Sequence, residues 1–215
     1  MARKTKEEAL QTRSTLMETA LGLFCEQGLA RTSLTDIARA AGLTRGAIYW
    51  HFKNKSELFI DLWQEFCHPR SAQLAASEDE NEPDPLGQLH QFLLGVMRGV
   101  QGDLRYRQLF TIIFSLEELD EELQPVREHM DAESRRFSDS LRKALENVVR
   151  HGQLPATLDL EQAVTFIRCT LDGFIINVLR YPHHLEVAQD PEWLLELTFL
   201  SLKNTNKIKW IQNDQ

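Results

Sequence analysis

Cysteine is scarce. Cys25, Cys67 and Cys169 are the three in 215 residues, too few and too scattered for a disulfide framework, so a reducing, cytoplasmic compartment is expected. No apolar run approaches the roughly 20 residues a membrane span needs, and the first thirty residues carry no apolar signal core. Alternating β-branched runs and Asn-Gly turns are almost absent, which argues against a sheet. Repeats at solenoid periods are absent too. No His-Glu-x-x-His or Cys-x-x-Cys spacing occurs, and the adjacent His183 and His184 point to different faces. Neither a metal, a cofactor nor an enzyme activity is therefore expected.

What is present is helical pattern. Leu16, Ala20 and Phe24 recur every fourth residue in a helix expected over about Lys6–Gln27, with Gly28 placed to end it. Ser33 and Asp36 have capping-box spacing before a stripe of Leu34, Ile37, Ala38 and Ala41, which Gly42 breaks. Thr44 starts a third helix with Ile48 and Phe52 inward, and Asn54 with Glu57 starts a fourth. Residues 77–85 are acidic and proline-bearing, and read as an exposed loop. Asp84-Pro85, Asp159 and Asp190-Pro191 signal further helix starts, while Gly152 and Pro182 signal ends. The expected fold is all-α, with about nine helices.

Charge is uneven along the chain. Residues 1–56 hold nine Lys and Arg against five Asp and Glu, a net of +4, whereas residues 57–215 hold fifteen against twenty-seven, a net of −12. A basic first quarter on an acidic body suggests that the small part meets a polyanion.

Residues 33–52 carry the chemistry. Two short helices joined by a tight turn at Gly42 have the layout of a helix-turn-helix, whose second helix enters the major groove N-terminal end first. Arg45 in its first turn suits guanine O6 and N7. Gly46 is small enough for close backbone approach, and Tyr49, Trp50 and His51 remain near the outer face for thymine methyls and phosphates. Ser33, Thr35, Thr44 and Lys55 sit at or near helix starts, where phosphates bind.

The uninterrupted stretch from Thr32 to Phe59, Thr-Ser-Leu-Thr-Asp-Ile-Ala-Arg-Ala-Ala-Gly-Leu-Thr-Arg-Gly-Ala-Ile-Tyr-Trp-His-Phe-Lys-Asn-Lys-Ser-Glu-Leu-Phe, resembles the TetR family signature. The opening Met1–Ala9 resembles the narrower group of AcrR-type efflux-pump repressors. The resemblance implies a DNA-binding domain over residues 1–56, with three helices, and a ligand-binding and dimerisation domain over 57–215. It implies a homodimer through the last two helices, double-stranded operator DNA as partner, and a small-molecule inducer whose binding shifts the fourth helix. It also allows Arg3, Lys4 and Lys6 to act as a DNA-contacting arm. Two departures from AcrR-like relatives, Ser115–Leu119 and Asn177-Val178, leave the inducer's identity open.

In the second half, Leu194, Leu195, Leu197, Phe199, Leu200 and Leu202 crowd one helix, and Ile167, Leu171, Phe174 to Ile176, Val178 and Leu179 crowd another. Helices apolar all round are buried all round, which favours a dimer seam. Ligand-lining candidates are Trp63, Phe66, Cys67, Phe110, Thr111, Phe114, Phe137, Phe166, Thr170 and Asp172. Asp172 reads either as a partner for a cationic drug or as a paired residue at the seam. The three cysteines are expected to be buried and inert rather than redox-sensing. The remaining alternative is a helical module that binds a protein through Tyr49 and Trp50.

Overall fold

The computed structural model describes residues 6–116, 121–181 and 190–204, apart from the side chains of residues 67–71 and 121. Arg3, Lys4, His183 and His184 lie outside the described residues, as does the Cys67 side chain. The described residues form α1 (Lys6–Gln27), α2 (Leu34–Ala40), α3 (Arg45–His51), α4 (Lys55–Glu78), α5 (Pro85–Gly102) and α6 (Leu104–Phe114). A 3-10 turn (Glu121–Leu123), α7 (Gln124–Arg150), α8 (Leu160–Arg180) and α9 (Pro191–Lys203) follow. No strand occurs among them.

Local chemistry sets these boundaries. The Ser33 hydroxyl accepts from the Asp36 amide and the Asp36 carboxylate accepts from the Ser33 amide, a reciprocal cap that starts α2. At its far end Gly42, at φ +68°, lets the Leu43 amide reach the Ala38 carbonyl at 2.8 Å and its own amide reach Arg39 at 3.1 Å. Those two bonds form a Schellman cap. Thr44, Asp84, Asp159 and Asp190 each accept from the amide three residues on.

The acidic loop is shorter than expected, because α4 continues through Ser77 and Glu78. Its last carbonyls are satisfied from another helix: Asn147 Nδ2 on α7 donates to the Ser77 and Asp79 carbonyls at 3.1 and 2.7 Å.

The chain divides into two compact units, Met1–Pro69 with Leu104–Glu133, and Arg70–Asp103 with Ser134–Gln215. In the first, Leu16, Ala20 and Phe24 of α1, Ile37 of α2, Ile48 and Phe52 of α3 and its cap, and Leu58 and Phe59 of α4 form one buried cluster. Leu109 and Ile112 of α6, Leu123 and Val126 complete it. Phe24 and Phe59 meet edge to face, with centroids 6.4 Å apart. The unit that contains the helix-turn-helix thus draws on chain well beyond residue 56.

In the second unit α5 packs against α8 and α9, burying Leu89, Leu93, Met97, Ile167, Leu171, Phe174, Leu195 and Phe199. Arg168 of α8 donates to Ser134 and Ser138 of α7. By length and composition alone α8 is apolar enough to cross a membrane. Glu161, Arg168 and Asp172 interrupt its apolar run. Its packing in this unit buries part of that apolar surface.

Two glycines should respond oppositely to alanine. Neither Gly42 nor Gly22 has any atom near a new Cβ, so backbone alone decides. Gly42→Ala forces a left-handed alanine and should destabilise by about 1 kcal/mol. Gly22→Ala, inside α1, should stabilise by about 1 kcal/mol. Urea denaturation of each variant reads both signs.

Candidate functional site

The outward face of α3 is built from inside. Ile48 is fully buried and Phe52 nearly so, which fixes the helix against α1, α2 and α4 and turns the intervening positions to solvent. Tyr49 is 46 % and Trp50 73 % exposed. Exposing large aromatics to this extent leaves apolar area available to a ligand. Arg45 is exposed, with its guanidinium carbon 5.3 Å above the Tyr49 ring. Trp50 packs edge-on against His51, with centroids 4.5 Å apart. Gly46 is exposed, and a Cβ there would meet only the Thr44 hydroxyl at 4.0 Å, so the backbone is open to close approach. Ser33 and Thr44 are exposed caps and Thr35 is half-buried. Arg45, Gly46, Tyr49 and Trp50 therefore share one accessible surface, with Thr44 at its edge.

Lys55 departs from the expectation that it is presented to a phosphate. Its side chain is only 8 % exposed. Its Nζ donates to the Ala30 carbonyl at 2.8 Å and pairs with Glu122 Oε2 at 3.1 Å. A buried ammonium needs such partners, and the 3-10 turn supplies one. Sequence reading gives no sign of Glu122, because the two residues are far apart in the chain.

Arg13 likewise has no local sequence signal for its role. It pairs with Asp61 at 2.6 Å and lies 5.3 Å from the Phe52 ring centroid, tying α1 to α4 and to the end of α3. Arg105 of α6 joins Glu18 of α1 at 2.7 Å and approaches Glu65 of α4 at 3.8 Å.

The expected ligand residues fall into separate groups. Trp63, Phe66 and Phe110 form an aromatic cluster with Tyr106, at centroid separations of 4.4 to 6.5 Å, and Phe114 stacks on Phe110. Trp63 Nε1 is buried with no hydrogen-bond acceptor among the described residues. In the second unit Phe137 packs on Phe92, and the Thr170 hydroxyl donates to the Phe166 carbonyl. Thr111 is exposed, and Phe166 is 42 % exposed on the outer face of α8 beside Thr165 and Cys169. Both therefore stand on the solvent side of their helices. Cys169 is exposed, not buried. Cys25 is half-buried, with its thiol pKa raised by burial and by Glu26. Among the described residues no group of three or more His, Cys, Asp or Glu could hold a metal ion.

Asp172 is half-buried on α8. Burial raises its carboxyl pKa, and the Arg168 guanidinium opposes that rise. Outward apolar residues are also concentrated on α9: Trp193, Leu197 and Leu200 are 43 to 55 % exposed. They flank a groove of about 610 Å³ that Leu86, Gly87 and His90 of α5 also line.

Residues 16–62 match the model of the bacterial regulatory proteins of the tetR family, and residues 84–203 match the C-terminal region of the MAATS-type transcriptional repressors. The chain is 38 % identical to the HTH-type transcriptional regulator TtgR of Pseudomonas putida, over 89 % of this chain and 91 % of that one. Its fold is similar to that of SmeT in complex with triclosan, with TM-score 0.80, 27 % identity, and coverage of 89 % here and 91 % there. SmeT is the repressor of the Stenotrophomonas maltophilia multidrug efflux pump SmeDEF. It is also similar to NalD, the secondary repressor of the MexAB-OprM multidrug efflux pump in Pseudomonas aeruginosa, with TM-score 0.77, 31 % identity, and coverage of 92 % and 98 %.

The raised Asp172 pKa makes a stability prediction. A group whose folded pKa lies above its unfolded value stabilises the fold at low pH and loses that contribution as pH rises through the folded value. Asp172→Asn should therefore raise the melting temperature relative to wild type at pH about 7. It should give no gain at pH about 3, where both side chains are neutral. Thermal melts at the two pH values check this.

Proposed function

The chain belongs to the TetR family of bacterial regulatory proteins, and from that premise we propose that it is a transcriptional repressor controlling a multidrug efflux operon. It binds double-stranded operator DNA as a homodimer and releases it when a small hydrophobic or cationic molecule binds the second half of the chain. The observation that carries this reading is the α3 surface, on which a cation, a glycine and two aromatics stand outward over a packed core.

In this reading residues 1–56 are the DNA-binding domain and 57–215 the ligand-binding and dimerisation domain. Arg45 forks onto a guanine edge, Gly46 admits close backbone approach, and Tyr49, Trp50 and His51 contact thymine methyls and phosphates. Ser33, Thr35 and Thr44 direct helix N-termini at phosphates. The ligand contacts are the Trp63, Phe66, Phe110 and Phe114 cluster for apolar rings and, separately in the second unit, Asp172 for a cation. The similarity to a triclosan-bound repressor supports an apolar aromatic ligand. Dimerisation runs through α8 and α9, whose exposed Phe166, Trp193, Leu197 and Leu200 are otherwise left in water. The work is binding rather than catalysis, in the cytoplasm.

DNA binding is tested by fluorescence anisotropy on the duplex that the wild-type chain selects from a random library. Arg45→Ala should cost about 1–3 kcal/mol of affinity. Wild-type affinity should fall by about 1,000-fold or more between about 50 and about 200 mM salt. A chain that selects no duplex, or an affinity flat in salt, overturns the reading.

The seam is tested by sedimentation. Leu197→Asp with Leu200→Asp should give a folded monomer, since charges at an apolar interface are costly to desolvate. A variant that remains dimeric places the interface elsewhere.

A further inference from the structure

Arg13 joins three helices. Its Nη2 donates to Asp61 Oδ2 of α4 at 2.6 Å, and its Nη1 donates to Met17 Sδ of its own helix at 2.9 Å. The guanidinium held in this way lies over the ring of Phe52, with its carbon 5.3 Å from the centroid. Phe52 is the residue that ends α3. It is 1 % exposed, and its amide donates to the Ile48 carbonyl at 2.9 Å.

From Phe52 the contacts continue outward. His51 packs on Phe52 with centroids 6.2 Å apart, and Trp50 meets His51 edge-on at 4.5 Å. Asp61, Arg13, Phe52, His51 and Trp50 thus form an unbroken line of side chains from α4 to the exposed surface of α3. The charge of Arg13 is answered within the protein, by Asp61 and by Glu65 Oε2 at 3.9 Å. The Arg13 and Asp61 side chains are 34 and 30 % exposed, and ion pairs this accessible add little to stability. What the guanidinium contributes is geometry. A planar fork fastened through both terminal nitrogens stays flat on a ring, as a flexible ammonium does not.

We propose that Arg13 is a positioning residue for sequence recognition. It fixes the last turn of α3 against α1 and α4, and through Phe52 and His51 it sets where Trp50 stands. It makes no contact with DNA itself. Base-edge contacts need side chains held to about 0.5 Å, whereas non-specific binding needs only cations near phosphates. Loss of Arg13 therefore lowers the sequence-specific part of the affinity and spares the rest. The inference rests on the DNA-binding reading above.

The test uses the full-length chain and two duplexes, the selected one and one of scrambled sequence, with fluorescence anisotropy as the readout. Arg13→Ala should bind the selected duplex about fivefold more weakly than wild type. Its affinity for the scrambled duplex should be unchanged, and so should the slope of log affinity against log salt. A cation that touched a phosphate would instead make that slope shallower by about one. Asp61→Ala separates geometry from charge. It removes the anchor of Arg13 and also removes a negative charge, so charge alone predicts tighter binding. Positioning predicts weaker binding to the selected duplex.

An equal loss on both duplexes would mean general damage or lost charge, and overturns the proposal. So would a shallower salt slope for Arg13→Ala, or an Asp61→Ala chain that binds the selected duplex as tightly as wild type or more so. Should Arg13→Ala fail to fold by circular dichroism, Arg13→Lys takes its place, keeping the charge and losing the fork. Wild-type chain that binds no duplex overturns the DNA reading itself, and this inference with it. Wild-type binding that Arg45→Ala weakens while Arg13→Ala leaves it unchanged overturns this inference alone.

Discussion

The burial of Ile37 and Ile48 against Phe24, Phe52 and Phe59 is the contact on which the molecule depends. Two helices of seven residues each have little stability alone, because nucleation costs more than so few hydrogen bonds return. They persist because their inner residues enter a core that α1, α4, α6 and the start of α7 complete. Since Ile48 is fixed inward, Arg45, Tyr49 and Trp50 are fixed outward. Such preorganisation favours binding of a rigid partner, because side chains ordered only on contact would lose affinity to entropy.

The same core joins the helix-turn-helix to the other helices of the first unit. Leu109 and Ile112 of α6, Leu123 of the 3-10 turn and Val126 at the start of α7 are as deeply buried as the core residues of α1. Around them the ion pairs of Arg13 with Asp61 and Arg105 with Glu18 tie α1 to α4 and α6. These pairs are partly exposed, so each adds little to stability, but together they fix the orientation of helices whose packing is already made. Within the first unit, α6 and the start of α7 thus pack contiguously with α4 and with the base of α3.

Much of this architecture was legible in residue pattern alone, and the reason is local. Ser33 with Asp36, Thr44, Asp84-Pro85, Asp159 and Asp190-Pro191 satisfy amides three residues away, so neighbours in sequence suffice to place the helix starts. Gly28, Gly42 and Gly152 take the positive φ that ends a helix. What remained hidden depends on distant partners. The last turn of α4 is capped by Asn147 on another helix, and Lys55 is buried by Glu122. Nor does helical periodicity say whether an apolar residue enters its own core, so Phe166 and Leu200 look like Leu171 and Phe199 until exposure separates them. The α3 face was readable because a helix-turn-helix is itself a local motif; the ligand residues, spread over several helices, were readable only as chemical types.

In the proposed function α3, held outward by its core, meets a major groove once in each half of a dimer. Hydroxyl-radical footprinting of the full-length chain on its selected duplex tests this most directly. Two protected patches on one face of the duplex, about 10 base pairs apart or a whole multiple of that, are the predicted result. A single patch, or two at a spacing that puts them on opposite faces, would contradict it.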